Sequence, residues 1–312
     1  MPAPVTRLAP SPTGALHLGN ARTFLVNWAL ARRGGWRVLL RVEDLDGPRV
    51  KPESADAILR TLEWLGLDWD EGPHVQSADL APYRRAMERL AAEGSAFPCA
   101  LTRTQVAAAS SAPQEGAHET PFPASLRPAS WERRLGPEPT NWRFLVPPGD
   151  VSFDDLFAGR RSFDLAALIG DFIVWTKRGL PAYQLAVVVD DHRQGVTHVV
   201  RGDDLLDSAA RQLLLYRALG LGPEPAHCHL PLVRGPDGRR LAKRHGDSRL
   251  ERYRALGVPP EDVVGLLARW SGVDPGPGGR MSAAEFRDAF RLERLPRADV
   301  VFTPADEERL TG

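Results

Sequence analysis

Two short stretches, 226 positions apart between His17 and Lys243, carry residues suited to handling a polyphosphate. The first, Arg7-Leu8-Ala9-Pro10-Ser11-Pro12-Thr13-Gly14-Ala15-Leu16-His17-Leu18-Gly19-Asn20, is punctuated by Pro and Gly and runs into an apolar-periodic segment, Ala21 to Ala31. This order predicts a strand, a turn and a helix N-terminus, with His17 at the turn. Unpaired N–H groups at a helix start, lying at the positive end of its dipole, favour a phosphate, and a His there could donate to its oxygens. Taken alone, the same residues would also make a plain turn capped by His17. The second stretch is Arg240-Leu241-Ala242-Lys243-Arg244-His245-Gly246, just after a Gly235-Pro236-Asp237-Gly238 hairpin signal. Only Lys51, Lys177 and Lys243 are lysines among 40 basic residues. A Lys retained between two arginines suits a compact ammonium on a flexible stem that follows a migrating phosphate.

The elements that must position these groups read as alternating β and α. Val38 to Val42 is strand-like; Ser54 to Leu65 and Tyr83 to Glu93 are helix-like. Residues 95–165 change character, with an Ala/Ser/Pro-rich stretch from Ala107 to Ala129, as expected of an insertion between two halves of a nucleotide-binding fold. Ala186-Val187-Val188-Val189 reads as a buried parallel strand ending at Asp190-Asp191. Ligands of open α/β sheets bind beyond the carboxyl ends of strands, which would put Asp190, Asp191 and Arg201 near the crevice. Beyond residue 250 the segments Leu250 to Leu256, Pro260 to Trp270 and Ala283 to Leu292 read as short amphipathic helices. The expected organisation is therefore 1–94 as the first half of a Rossmann-like domain, 95–165 as insertion, 166–250 as the second half and 251–312 as a helical C-terminal region.

Composition restricts the classes further. The 312 residues suffice for a substantial core, the start has no apolar h-region and no apolar run is of spanning length, so a cytoplasmic enzyme without membrane contact is expected. Cys99 and Cys228 cannot make a disulfide framework. A formal net charge of zero leaves RNA contact to local patches, for which Arg32-Arg33, Arg84-Arg85, Arg133-Arg134, Arg160-Arg161 and Arg239-Arg240 are candidates.

Both stretches resemble the signatures of the class I aminoacyl-tRNA synthetases, His17-Leu18-Gly19-Asn20 standing for the "HIGH" element and Arg240-Leu241-Ala242-Lys243-Arg244 for the "KMSKS" loop. Longer matches resemble the glutamyl-tRNA synthetase catalytic domain over about residues 5–270. They are Ala21-Arg22-Thr23, Leu40-Arg41-Val42-Glu43-Asp44-Leu45-Asp46, Trp64 through Pro73, Tyr183 through Asp191, and His198-Val199-Val200-Arg201-Gly202-Asp203-Asp204. The resemblance implies ATP as substrate with Mg²⁺, bound through His17, Gly19, Asn20, Arg240 and Lys243, with His17 and Lys243 as the catalytic pair. It implies an L-glutamate shell of Arg7, Ala9, Ser11, Glu43, Tyr183 and Arg201. Glu43 would take the ammonium and Arg7 and Arg201 the carboxylates, with Tyr183 donating a hydroxyl. Ala242 stands where the loop usually has a hydroxyl, and Arg240 where it often has Lys, which should tune activation rather than abolish it.

Only 62 residues follow position 250, too few for the long helical anticodon-binding region of a discriminating glutamyl-tRNA synthetase. In this the sequence resembles the glutamyl-queuosine tRNA(Asp) synthetases, which activate glutamate without tRNA and attach it to queuosine at the wobble position of tRNA(Asp). The run Ala186 through Val196 also looks closer to that paralogue. The alternatives are a truncated enzyme charging tRNA(Glu) and, in another class, a non-catalytic paralogue binding RNA or protein. A monomer is expected. Many members of that family hold zinc through Cys-x-Cys and Tyr-x3-Cys. Here Cys99 remains, Leu101 replaces the second thiol and Phe122-Pro123-Ala124-Ser125-Leu126 replaces the other pair. One thiolate cannot make a four-coordinate site, so no structural zinc is expected, and an apolar cluster of Phe97, Leu101, Phe122 and Leu126 should hold the insertion. His227-Cys228-His229 places only His227 and His229 on one face and reads as a strand leading to Leu232.

Overall fold

A computed structural model describes residues 2–12, 15–45, 52–109, 120–239, 241 and 248–312. Its first part is a β-α-β-α-β unit. Strand β1 (Val5–Leu8) is followed by helix α1 (Leu18–Gly34), β2 (Arg37–Val42), α2 (Pro52–Trp64) and β3 (Glu71–Val75). The three strands are parallel in the order β1-β2-β3, with Val5 opposite Arg37 and Val42 opposite Val75. All of β1 and nearly all of β2 are buried, as expected when helices cover both faces of a parallel sheet. Helix α1 starts at Leu18, with His17 in extended conformation as its N-cap, and stops at Gly35 in the left-handed region. Buried Asn27 clamps the helix to β1: its Nδ2 donates to the Arg7 carbonyl at 2.9 Å and its Oδ1 accepts from Thr6 at 2.9 Å.

The chain continues through α3 (Ala81–Ala92), β4 (Ala96–Cys99), α4 (Arg103–Ala109), β5 (Asn141–Phe144), β6 (Asp150–Asp155), β7 (Gly159–Asp164), α5 (Leu165–Leu168) and β8 (Phe172–Trp175). Strands β4, β5 and β8 form an antiparallel sheet. Phe97 and Phe122 are buried with ring centroids 6.0 Å apart, and Leu101 and Leu126 lie against them, so the four expected side chains meet. Cys99 belongs to the same apolar cluster. Gly170, at φ +67°, is what lets Phe122 approach: a Cβ there would lie 1.9 Å from the Phe122 carbonyl oxygen.

Next come α6 (Tyr183–Arg193), β9 (His198–Gly202), α7 (Leu206–Ala218), β10 (Ala226–Leu230) and β11 (Val233–Arg234), then α8 (Leu250–Ala255), α9 (Pro260–Trp270), α10 (Ala283–Ala289), β12 (Val300–Val301) and α11 (Pro304–Thr311). The second sheet runs β7-β6-β10-β9, with β6, β10 and β9 mutually parallel. Thr197 joins it to the first sheet, its N–H donating to the Val5 carbonyl at 2.9 Å while its Oγ1 accepts from the Val5 N–H at 2.8 Å. Thus β9 lies beside β1, giving the order 3-2-1-9-10, with the crevice at the reversal point.

One expectation is corrected. Ala186 to Val189 lies in α6, not a strand: every residue from Gln184 to Asp191 is buried, so a helix covered all round shows the same unbroken apolar run as a buried strand. From residue 250 onward the chain carries α8 to α11 together with the short β12, which pairs in parallel with β11. No helix among the described residues is long and apolar enough to cross a membrane.

Candidate active site

The two signature stretches meet. Leu18 N–H donates to the Ser248 carbonyl at 3.2 Å and Leu250 N–H to the Leu16 carbonyl at 2.9 Å, so His17 and Arg249 face each other in an antiparallel bridge. His17 Nδ1 also lies 3.2 Å from Ser248 Oγ. Upstream, Leu241 N–H donates to the Val233 carbonyl at 3.2 Å, and Val233 is the side chain that a Cβ on Gly19 would meet, at 3.5 Å. Both flanks of the second stretch are thereby held against the first turn of α1. Arg240, Ala242 and Lys243 lie outside the described residues, as do Lys51, Thr13 and Gly14. Asn20, in the first turn of α1, is exposed.

Arg22, which sequence reasoning gave no role, locks this end of α1. It is buried, donates to the Pro231 carbonyl at 2.7 Å and the Trp270 carbonyl at 3.0 Å, and reaches Ser271 Oγ at 3.3 Å. Burial lowers its pKa to about 10, still charged at neutral pH.

The expected amino-acid shell gathers at the carboxyl ends of β1, β2 and β9. Arg7 on β1 and Arg201 on β9 are each 5 % exposed and Glu43, just past β2, is 8 % exposed. Glu43 N–H donates to the Pro10 carbonyl at 3.0 Å, which ties the turn carrying half-buried Ala9 and exposed Ser11 to the end of β2. Tyr183, the first residue of α6, stands at the mouth with 41 % exposure, and its phenol interacts with Arg201.

A buried ion network underlies this shell. Arg41, fully buried, donates from Nη2 to Glu43 Oε1 at 3.0 Å and from Nη1 to Asp191 Oδ1 at 2.7 Å and Gln194 Oε1 at 2.9 Å. The same Asp191 oxygen accepts from Arg7 Nε at 3.3 Å. Burial alone would raise the Asp191 pKa, but Arg41 and Arg7 outweigh it and hold the carboxylate below its ordinary range. For Glu43 burial wins, and Arg41 and Arg7 only partly offset it, so its pKa is raised. A buried carboxylate in that condition gains from an incoming ammonium. Asp190 braces α6 from behind, accepting from Gln76 Nε2 at 2.8 Å and the Tyr83 hydroxyl at 2.7 Å. Asp191 therefore reaches the crevice from the last turn of a helix rather than from a strand end, whereas Asp190, expected beside it, turns to Gln76 and Tyr83.

Arg201 is held differently. Its Nε donates to His229 Nε2 at 2.9 Å and its Nη1 to Gln212 Oε1 at 2.9 Å, both neutral acceptors. His229 Nδ1 is 2.6 Å from Asp155 Oδ2. Reading His227-Cys228-His229 as strand packing describes Cys228, whose thiol burial pushes up to about 12, and His227, which stacks on His229 at 5.8 Å. It misses His229, whose role emerges only when β10 lies beside β9. In four of the five candidate RNA-binding arginine pairs one member is engaged in a local ion pair: Arg32 with Asp68 and Asp70, Arg84 with Glu88, Arg134 with Glu132 and Arg160 with Asp154.

Comparison with known proteins gives the family and agrees with the fold. Residues 4–304 match the family model of the class I tRNA synthetases (E and Q), catalytic domain. The glutamyl-Q tRNA(Asp) synthetase of Symbiobacterium thermophilum is 49 % identical over 94 % of this chain and 94 % of its own length. The glutamate–tRNA ligase of Geobacter sulfurreducens is 42 % identical over 96 % of this chain but only 63 % of its own. Among solved structures, the glutamate-tRNA synthetase of Elizabethkingia anophelis superposes with a TM-score of 0.81 at 26 % identity, over 99 % of this chain and 70 % of that one. With a Rossmann-like α/β fold, a crevice at the strand reversal and end-to-end similarity of this extent, the chain belongs to the class I tRNA synthetases of the E and Q type and, among them, to the glutamyl-Q tRNA(Asp) synthetase family.

Proposed function

We propose that this protein activates L-glutamate with ATP, without tRNA, and transfers it to queuosine at the wobble position of tRNA(Asp). The observation that carries the reading is the juxtaposition of two buried arginines, Arg7 and Arg201, with buried Glu43 at the strand ends beside the His17 turn. Two cations and one anion at separate points match the two carboxylates and one ammonium of glutamate. Arg7 and Arg201 take the carboxylates, Glu43 the ammonium, and Tyr183 supplies a hydroxyl; Ala9 and Ser11 line the turn.

ATP lies against the N-terminus of α1, with His17, Gly19 and Asn20 at the phosphates and Arg240 and Lys243 approaching from the second stretch. The α-carboxylate attacks the α-phosphorus, the bond to the β-phosphate oxygen breaks, and glutamyl-adenylate and pyrophosphate result. No protein nucleophile is needed, so the chain's work is positioning and the spreading of phosphoryl charge over His17, backbone N–H groups and Lys243. Mg²⁺ bound with ATP would neutralise phosphate charge; among the described residues no group of three His, Cys, Asp or Glu could hold a metal ion. The reading includes a cytoplasmic monomer.

Similarity to the glutamyl-Q relative over nearly its whole length favours the queuosine acceptor over tRNA(Glu). Glutamate transfer to tRNA(Asp) bearing queuosine, the same tRNA bearing guanosine, and tRNA(Glu) tests it. Label confined to the queuosine form is the expected result. Label on tRNA(Glu) would make this a minimal charging enzyme and overturn the assignment.

A further inference from the structure

Arg201 must present its charge to an incoming carboxylate while being buried. Burial lowers its pKa from the ordinary value, and the nearby Arg7 cation adds to the shift, so an anion that joins it is favoured. What fixes the guanidinium is a row of groups that no sequence signature marks. Asp155, the last residue of β6, accepts from His229 Nδ1 at 2.6 Å and, through Oδ1, from the backbone N–H groups of Phe157, Ala158 and His229. An arginine Nε–H can only donate, so the 2.9 Å contact makes His229 Nε2 an acceptor and leaves the proton on Nδ1. On the other side Gln212, which accepts from Arg201 Nη1, donates to Gln184 Oε1 at 3.0 Å, and Gln184 donates to Ser208 Oγ at 3.0 Å. Nη2 is the remaining end. It is buried and has no hydrogen-bond partner among the described residues.

We propose that His229 is a positioning residue of the glutamate site, held as the neutral Nδ1–H tautomer by Asp155, that occupies Arg201 Nε and leaves Nη2 as the donor offered to a substrate carboxylate. This rests on the assignment of Arg201 to the glutamate shell. The choice of imidazole follows from charge. A carboxylate at this place would fix the same Nε–H but neutralise Arg201 and compete with the substrate, whereas a neutral acceptor orients the guanidinium and leaves its charge intact. Glutamines supply the same neutral support on the Nη1 side.

The test compares His229→Leu, which removes the acceptor, with His229→Gln, which can restore one, in ATP–pyrophosphate exchange by the full chain, with Arg201→Ala as reference. His229→Leu should raise the glutamate KM at least about tenfold, the effect of losing a hydrogen bond to a charged group, while leaving the ATP KM within about twofold. His229→Gln should recover most of the loss. An unchanged glutamate KM in His229→Leu, or equal rises in both KM values, would overturn the proposal. An unchanged glutamate KM in Arg201→Ala would instead overturn the placement of Arg201 in the shell. Should His229→Leu fail to fold, ¹⁵N NMR of the parent decides: the expected signature is a neutral ring protonated on Nδ1 between about pH 6 and about pH 8. Asp155, Arg201, His227 and the Leu205 backbone are the titratable, charged or hydrogen-bonding groups facing that ring. A ring protonated on Nε2 would overturn the assignment.

Discussion

Asp191 is the residue whose loss should be felt most widely. One of its oxygens serves two buried guanidiniums, at 2.7 Å from Arg41 and 3.3 Å from Arg7. With charge centres about 4 Å apart and an effective dielectric constant near 20, each pair is worth about 4 kcal/mol of attraction, much of which offsets desolvation. Removing one member leaves that desolvation uncompensated. Asp191→Ala should therefore cost about 3–5 kcal/mol in urea unfolding, and Asp191→Asn, which keeps an acceptor but not the charge, about 3 kcal/mol. The deficit has a pH signature. Because the folded-state pKa is depressed, the stabilisation is fully present above the unfolded carboxylate value of about 3.9 and is lost as pH falls through the folded value, so parent and variant should converge in acid. The glutamate KM should rise as well, since Arg7 loses its tether, while the ATP KM holds. An Asn variant within about 0.5 kcal/mol of the parent and with an unchanged glutamate KM would refute the reasoning.

Lys243→Ala should lower the rate of pyrophosphate exchange about a hundredfold or more with little change in glutamate binding measured calorimetrically; normal activation by this variant would defeat the assignment of Lys243 to phosphate. Glu43 has a raised pKa, so kcat/KM for glutamate should fall as pH drops through a value above the ordinary carboxylate range, where Glu43 gains a proton and loses its grip on the ammonium. Glu43→Gln should show a raised glutamate KM and lack that acidic limb in a pH–rate profile, and a variant that retained the limb would assign it to another group.

What was legible sits in local patterns. The Pro/Gly turn before α1 could be read directly, α9 spans Pro260–Trp270 as expected, and Arg7, Glu43 and Arg201, singled out by family resemblance, lie together at strand ends. What could not be read depends on contacts across the sheet. Asp191 was placed near the crevice but on the wrong element, since four apolar residues buried on all sides carry no period to separate helix from strand. His229 looks like any core histidine until Arg201 is seen opposite it in the β9–β10 register. Arg22 is one of many arginines in a chain that scarcely uses lysine, and nothing nearby in sequence reveals the carbonyls of Pro231 and Trp270 that it serves.

The joint at Val5 and Thr197 has a consequence for how this enzyme comes into being. The ion pairs that Asp191 makes with Arg7 and Arg41 span 184 and 150 residues and form only once the second half of the sheet has docked on the first. Contacts of such separation carry a high loop-closure cost and form late. Neither half can therefore acquire the proposed amino-acid site on its own, and a chain that has only collapsed its first β-α-β-α-β unit holds Arg7, Arg41 and Glu43 without the Asp191 carboxylate. On the proposed assignment of these residues to glutamate, its affinity would report completed assembly, and substrate bound across the joint would stabilise the docked pair of sheets over each sheet alone.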